Sequence, residues 1–206
     1  MTRVRPAPDL PVLVAITGAT GAAYGVRLLE RLRETGVETR LVISRWGETT
    51  IRSETGRRLE DVQRLATAVY AEDDLEAVGG LGSLETAAMA VAPCSMRTLA
   101  AIANGLSDTL VQHAAGLHLH ERRPVVLLVR ESPLSVIHLE NMLRVARAGA
   151  IVAPPVPAFY AQPRSLGDIV DHTVGRTLDH LGFADDSIRR WGEPRRPGGA
   201  RVSSEA

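Results

Sequence analysis

Runs of apolar residues alternate along the chain with segments in which apolar positions recur at a helical spacing. Five runs are almost wholly apolar, as expected of parallel strands that are covered on both faces of a sheet. They lie at residues 12–17, 39–44, 88–93, 124–129 and 150–155. This alternation of strand and helix predicts an α/β fold: a single three-layer αβα domain with a mostly parallel, doubly wound sheet of the Rossmann-like or flavodoxin-like kind.

Three further segments have the pattern of amphipathic helices that end at a glycine. They cover residues 23–36, 135–149 and 165–182. A glycine at this point is typical of a helix C-terminus, because it adopts the left-handed conformation without strain. In the first segment the apolar positions fall on one stripe, formed by Val26, Leu28, Leu29 and Leu32.

The length and composition are those of one globular domain. With 206 residues and 45% apolar side chains, the chain can bury one sizeable core but is short for two. We predict an N-terminal tail at residues 1–10 and an α/β domain at 11–193. The segment at 194–206 is rich in Pro, Gly, Arg and Ser and is predicted to be a disordered tail.

The balance of acidic and basic residues excludes any function that depends on a large net charge and the electrostatic field it produces. The chain has 24 basic and 24 acidic residues, so neither nucleic acid nor an anionic membrane surface is an expected partner. All basic residues are arginine, which excludes a mechanism that depends on lysine. The lone cysteine, Cys94, cannot form an internal disulfide. With no signal peptide or membrane span evident, we expect a cytoplasmic protein.

The first strand runs into a glycine-rich turn that opens a helix, "TGATGAAYG". Free N–H groups and the helix dipole make such a turn suitable for an anion. The turn matches neither the dinucleotide fingerprint nor the Walker loop, and a tight strand–helix turn is the structural alternative.

Polar residues also follow the other predicted strands. Ser44 and Arg45 follow the second strand, and Ser95 and Thr98 in "PCSMRT" follow the third. Such hydroxyls are ordinary helix N-caps in most proteins. Because the carboxyl ends of parallel strands meet at one edge, however, their convergence favours a phosphate-bearing mononucleotide cofactor. The strand at 124–129 ends in the pair Arg130-Glu131, for which a solvated ion pair is the structural alternative.

Several longer motifs resemble the UbiX-type flavin prenyltransferases, in matching order from about residue 12 to 193. They are "ITGATGAAYGVRLLE", "LVISR", "GSLETAAMAVAPCSMRTLAAIANG", "ERRPVVLLVRESPLSVIHLENM", "GAIVAPPVPAFYAQPRSLGDIVDHTVGRTLDHLG" and "RRWGE". The resemblance implies an enzyme that joins a dimethylallyl group from its monophosphate to N5 and C6 of reduced FMN. The product would be prenylated FMN, the cofactor of a partner decarboxylase of the UbiD type. The family also implies a large homo-oligomer, a dodecamer, with active sites between subunits, and no strict need for a metal.

Matched position by position, the resemblance implies three sets of site residues. The FMN-binding set is Gly18, Ala19, Thr20, Ser44, Ser95, Met96, Arg97, Thr98 and Arg130. The prenyl-phosphate set is Tyr160 and Arg176, together with the positions of His113 and His120. The catalytic set is Glu131, Glu54, Thr20 and Trp191. Glu131 would handle a proton, and Trp191 would form part of an electron-rich wall for an allyl cation. For Trp191, a hydrophobic anchor of the C-terminal segment is the alternative.

Two histidines depart from the family pattern. His113 stands where the family usually has arginine, and His120 stands where it has a phosphate-binding lysine. A permanent cation is thus replaced by a group whose unperturbed pKa is about 6.5. On a helix the two would share one face about 10 Å apart, and His118 would lie on another face, so a zinc site is not expected.

These departures leave two alternatives to a prenyltransferase. One is an FMN-dependent decarboxylase or oxidoreductase of the same fold that has lost the use of prenyl phosphate. The other is a non-catalytic flavin carrier. The prenyltransferase is favoured by Glu54, Glu131, Tyr160 and Arg176. The alternatives are favoured by His113 and His120. A serine hydrolase is excluded because the G-x-S-x-G elbow is absent. Cys94 is interpreted as a buried residue at a strand end and not as a nucleophile.

Overall fold

A six-stranded parallel sheet forms the centre of the molecule. The computed structural model describes residues 10–76, 85–183, 185 and 187–192. Its strands are β1 (Val12–Ile16), β2 (Thr39–Ile43), β3 (Ala68–Tyr70), β4 (Ala88–Cys94), β5 (Val125–Val129) and β6 (Ile151–Val152). The spatial order is β3-β2-β1-β4-β5-β6. The chain therefore reverses its direction of travel across the sheet between β1 and β4, which confirms the doubly wound arrangement.

Seven helices cover the two faces of this sheet within the described residues. They are α1 (Ala22–Glu34), α2 (Arg45–Thr55), α3 (Leu59–Gln63), α4 (Met96–Ala103), α5 (Leu110–His120), α6 (Val136–Ala148) and α7 (Leu166–Leu181). A short 3-10 turn, Phe159–Ala161, precedes α7. Among the described residues, no helix combines the length and apolar character needed to cross a membrane.

Two apolar layers enclose the sheet, one on each face. Alternate residues of β1 point to opposite layers: Val12, Val14 and Ile16 pack with α1 and α7, while Leu13 and Ala15 pack with α4 and α5. Every side chain of β1 is fully buried. This double burial explains why the run is apolar at every position and does not alternate. The predicted helical stripe of α1 is also confirmed, since all four of its members are buried.

The predictions from the sequence missed β3, α2 and α3. In α2 only Gly47 and Ile51 are buried, so no apolar stripe marked the helix. The predicted strand at 150–155 is wrong beyond Val152, because Pro154 and Pro155 have no N–H group to continue the ladder. The tail predicted at 194–206 lies outside the described residues, as does the one at 1–10 except for Leu10.

Candidate functional site

A cavity of about 1080 Å³ opens at the carboxyl edge of the sheet. Of the residues predicted to bind a mononucleotide, those that line it are Gly18, Ser44, Ser95, Arg97 and Thr98. They come from the ends of three different strands, and the cavity lies where the direction of the sheet reverses. This is the position at which open α/β sheets bind ligands.

The two serines at this edge, Ser44 and Ser95, are helix N-caps. This is the ordinary structural role that such hydroxyls have in most proteins. The Ser44 hydroxyl accepts a hydrogen bond from the Gly47 N–H (3.0 Å), and the Ser95 hydroxyl accepts one from the Thr98 N–H (3.2 Å). The capping hydroxyls nevertheless remain part of the cavity wall. At the start of α4, the N–H groups of Met96 and Arg97 have no acceptor within the part of the chain that the structure describes. These donors and the helix dipole suit an anion.

Glu54 occupies the N-terminus of α1, where the sequence had indicated an anion site. Its carboxylate accepts hydrogen bonds from the N–H groups of Gly21 (2.8 Å) and Ala22 (2.9 Å). A carboxylate is favoured at this end of a helix by the dipole. A phosphate at the same N–H groups would have to displace Glu54, whereas the start of α4 offers unoccupied donors.

Close packing between the first loop and α2 requires glycine at position 18. A Cβ atom at Gly18 would overlap the Cβ of Trp46. Trp46 follows the second strand, keeps 64% of its surface exposed and lines the large cavity. Trp46 belongs to none of the sequence motifs, because only the folded chain brings α2 against the glycine-rich loop.

The Arg130-Glu131 pair borders a second, smaller cavity of about 410 Å³. Thr20 and Gly21 of the first loop form part of its wall, so this loop lines both cavities. Glu131 is exposed, and its Oε1 accepts a hydrogen bond from the Ser132 N–H (2.8 Å). Burial raises the pKa of the neighbouring Tyr24, and the positive charge of Arg130 opposes that shift. An accessible carboxylate beside a guanidinium is thus presented to a concave site.

A third group forms where the C-terminal residues lie against α7. The rings of Tyr160 and Trp191 meet edge to face, with centroids 5.3 Å apart and an interplanar angle of 83°. Arg176 on α7 donates to the Asp179 carboxylate (2.8 Å). The structure therefore brings Tyr160 and Trp191 together, and Arg176 is already paired with an acid of its own helix. None of the three is part of the lining of either cavity.

The two departing histidines lie on α5, which leads away from the large cavity. Thr109, the N-cap of this helix, lines the cavity, and His120 is the last residue. Ten steps of about 1.5 Å place the two ends of α5 about 15 Å apart. His120 therefore lies at the end of α5 remote from the large cavity of its own chain and is not part of its lining. His113 lies about one turn into the helix and does not line the cavity either.

His118 lies on a different face from His120, as predicted. It is buried, its Nδ1 donates to the Ala114 carbonyl (2.8 Å), and its Nε2 lies 2.9 Å from the Thr86 hydroxyl. Burial lowers the pKa of His118 to about 4, so the ring is neutral at physiological pH. Within the described residues, no three acidic, His or Cys side chains cluster in a way that could hold a metal ion.

Cys94 is fully buried at the end of β4. Burial raises the pKa of its thiol to about 12, which leaves no thiolate to act as a nucleophile. The prediction that this residue is a packing element is confirmed.

Comparison with known proteins places this geometry in a family. The model of the flavoprotein family matches residues 3–178. A probable UbiX-like flavin prenyltransferase from Bacillus subtilis is 50% identical over 190 residues, which cover 92% of this chain and 93% of that relative. The chain is a UbiX-like member of the flavoprotein family. The mitochondrial flavin prenyltransferase PAD1 of Saccharomyces cerevisiae is 49% identical over 193 residues, which cover 93% of this UbiX-like chain and 80% of PAD1.

Solved structures resemble the UbiX-like chain over nearly its whole length. The crystal structure of AnUbiX (PadA1) in complex with FMN and dimethylallyl pyrophosphate has a TM-score of 0.86 and 46% identity, and the match covers 91% of this chain and all of that one. A dodecameric FMN-dependent UbiX-like decarboxylase from Escherichia coli O157:H7 has a TM-score of 0.85 and 48% identity, covering 89% of this chain and 100% of that one. The α/β fold predicted from the sequence is confirmed by both.

Proposed function

We propose that this protein is a flavin prenyltransferase, which joins a dimethylallyl group from its monophosphate to reduced FMN. The observation that carries the proposal is the presence of a mononucleotide-sized cavity at the carboxyl edge of the sheet and of a smaller cavity bordered by the Arg130-Glu131 pair, with the first loop lining both. Relatives about 50% identical over nearly the whole chain bear the name of this activity.

The residues of the large cavity fit a single phosphate of FMN. The start of α4 offers the N–H groups of Met96 and Arg97, and Ser95, Arg97 and Thr98 line the cavity there. The Ser44 hydroxyl lies in the same wall. The proposed FMN-binding set is completed by Gly18, Ala19 and Thr20 of the first loop and by Arg130. No second phosphate site of the dinucleotide kind accompanies them, because the glycine spacing of that fingerprint is missing.

When bound, reduced FMN supplies the nucleophilic ring atoms that accept the prenyl group. Arg130 would bind an anionic oxygen through its planar fork. Glu131 would accept or deliver the proton that moves during alkylation, since its carboxylate is accessible and borders the small cavity. Glu54 would fix the first loop between the two cavities through its bonds to Gly21 and Ala22.

The prenyl donor needs a site for its phosphate and a wall for its hydrocarbon. Cleavage of the allylic C–O bond leaves an allyl cation and inorganic phosphate, so fixed donors are needed for the anion and an electron-rich surface for the cation. We assign the donors to Tyr160 and Arg176 and the surface to Trp191. Side chains can supply every one of these interactions, so the mechanism does not strictly require a metal.

We infer that the protein works as a homo-oligomer with sites shared between copies. Four large apolar residues of α6 are at least half exposed, namely Val136, Ile137, Leu139 and Leu143. Large apolar residues left exposed together on one helix are typical of a protein interface. The distance of His120 from the cavity of its own chain supports the same inference. A dodecamer, as in the E. coli structure, is the assembly we propose, and a UbiD-type decarboxylase is the proposed recipient of prenylated FMN.

A second candidate is an FMN-dependent decarboxylase. The E. coli neighbour bears that description, and here His120 in place of a lysine reduces the positive charge available for a prenyl phosphate. Mass spectrometry separates the two candidates. After incubation of the protein with reduced FMN and dimethylallyl monophosphate, we expect the extracted flavin to gain the mass of one dimethylallyl group. A parallel reaction without the prenyl phosphate should show no gain. Bound flavin of unchanged mass in both reactions would favour the decarboxylase or carrier.

We predict that His120→Lys tightens the binding of dimethylallyl monophosphate at pH 8. The phosphate is dianionic there and a lysine side chain is cationic, so the variant offers a charged partner of the kind that the family pattern has at this position. One charged hydrogen bond corresponds to about 1 to 2 kcal/mol. Isothermal titration of the two proteins measures the difference.

The control is Glu121→Gln, which changes the net charge by the same amount at the adjacent position. It should leave the dissociation constant almost unchanged. Equal constants for His120→Lys and the wild-type protein would show that residue 120 faces no prenyl phosphate in any subunit, and would strengthen the decarboxylase candidate.

A further inference from the structure

The C-terminal strap, which we define as residues 187–192, is hydrogen-bonded to α7 and to the turn that contains Tyr160. Arg190 forms a two-point contact with the Asp179 carboxylate (3.2 and 2.7 Å). The Arg189 guanidinium donates to the Tyr160 carbonyl (2.9 Å). Trp191 then meets the Tyr160 ring at a right angle. The strap thus holds one residue of the proposed prenyl site against another.

His172 lies where α7, the strap and Tyr160 meet. Its Nε2 is 3.0 Å from the carbonyl oxygen of Arg189 and 3.3 Å from the hydroxyl oxygen of Tyr160. The His172 and Tyr160 rings are also edge to face, with centroids 5.6 Å apart. One ring nitrogen is therefore shared between a backbone carbonyl and a side-chain hydroxyl, and nothing in the sequence motifs had indicated this.

The carbonyl decides which tautomer His172 adopts. A carbonyl oxygen can only accept, so Nε2 must carry a hydrogen to bond with Arg189. The other neutral tautomer, with its hydrogen on Nδ1, would place a lone pair of Nε2 against the lone pairs of the carbonyl. In that tautomer, Nε2 would also accept a hydrogen bond from the Tyr160 hydroxyl. The contact with the strap excludes that tautomer.

The same choice determines what the Tyr160 hydroxyl can do. Because its oxygen faces an N–H group, it accepts from His172 and does not donate to it. Its own hydrogen stays available for another acceptor, and the phosphate of the prenyl donor is the acceptor that the proposed function supplies. We propose that His172 is a positioning residue, which keeps the Tyr160 hydroxyl free to donate to the prenyl phosphate. This role rests on the proposed function.

The tautomer is measurable without any ligand. Solid-state NMR of protein labelled with 15N-histidine should show a His172 ring with a hydrogen on Nε2, and the spectrum of His172→Gln assigns the signal among the six histidines. A doubly protonated ring also carries that hydrogen and supports the proposal. A ring protonated on Nδ1 alone would overturn it.

Ligand affinity tests the effect on Tyr160. His172→Phe keeps an aromatic ring but no donor, and we expect it to raise the dissociation constant of dimethylallyl monophosphate about tenfold, because the Tyr160 hydroxyl is no longer held in the orientation that points its hydrogen at the phosphate. His172→Gln places an amide N–H near the Nε2 position and should restore most of the affinity. The affinity for FMN should be the same in all three proteins.

The informative background is Tyr160→Phe, in which no hydroxyl remains to be positioned. There, His172→Phe should weaken prenyl-phosphate binding no further. His172 would serve only to pack the strap if His172→Phe lowered the affinity for the prenyl phosphate equally in the wild-type and Tyr160→Phe proteins. The same conclusion would follow if His172→Gln did not restore that affinity. If the wild-type protein did not bind the prenyl phosphate, the proposed function would fail together with this role. A ring protonated on Nδ1 in a protein that binds the donor would overturn this role alone.

Discussion

Replacing Glu131 by glutamine should slow transfer of the dimethylallyl group by about 10² or more, while the protein still binds FMN. Glutamine has the shape of glutamate, and its amide oxygen can still accept from the Ser132 N–H. The substitution therefore removes little except the ability to exchange a proton. Single-turnover absorbance spectra of reduced FMN mixed with dimethylallyl monophosphate measure the rate.

The adjacent residue provides the control for this experiment. Arg130→Ala removes a proposed anion ligand and should weaken FMN binding, a defect that higher FMN concentrations overcome. The defect of Glu131→Gln should persist at saturating FMN. An unchanged alkylation rate in Glu131→Gln would remove this carboxylate from the mechanism and leave the Arg130-Glu131 pair with a binding role only.

Gly25→Ala should lower the free energy of unfolding by about 1 to 3 kcal/mol, the usual cost of forcing an extra methyl group into a packed interior. Gly25 lies in α1 where the helix crosses β1 and β4. An added Cβ would overlap the carbonyl oxygen of Ala92 and lie 2.8 Å from the Ile16 side chain. A backbone oxygen in a central strand cannot move aside, so the helix itself must shift away from the sheet.

Gly167→Ala is the matched control. Gly167 lies in the exposed first turn of α7, and an added Cβ would meet only the Ser165 hydroxyl, at 3.5 Å. Stability should be unchanged or slightly higher, because alanine favours the helix more than glycine does. Urea denaturation with a common slope compares the two variants. Equal midpoints for both would contradict the close approach of α1 to the sheet.

The sequence predicted the parts of the fold in which burial imposes a strong pattern. Strand β1 is covered on both faces, which requires an apolar residue at every position, and α1 presents one apolar stripe to the sheet. Strand β3 lies at the sheet edge and none of its three residues is fully buried, so its pattern is weak. The exposed helix α2 was missed for the same reason.

The candidate site was predictable at the level of strand ends. Because parallel strands share their carboxyl edge, Ser44 and Ser95 were expected together, and they line one cavity. The contacts made by Glu54 with the first loop join residues more than 30 positions apart and have no local signal. The location of His120 also depends on tertiary structure, since the motif alone does not tell which subunit's site a residue serves.

The division of the site into two cavities bears on how the enzyme can evolve. The first loop contributes Gly18 to the wall of the large cavity and Thr20 and Gly21 to the wall of the small one, so a substitution that shifts this loop alters both cavities at once. Residues 154–156 border the small cavity alone. That segment can therefore vary in shape during divergence without changing the wall of the large cavity, so substitutions there should remodel the small cavity and leave the proposed flavin phosphate site as it is.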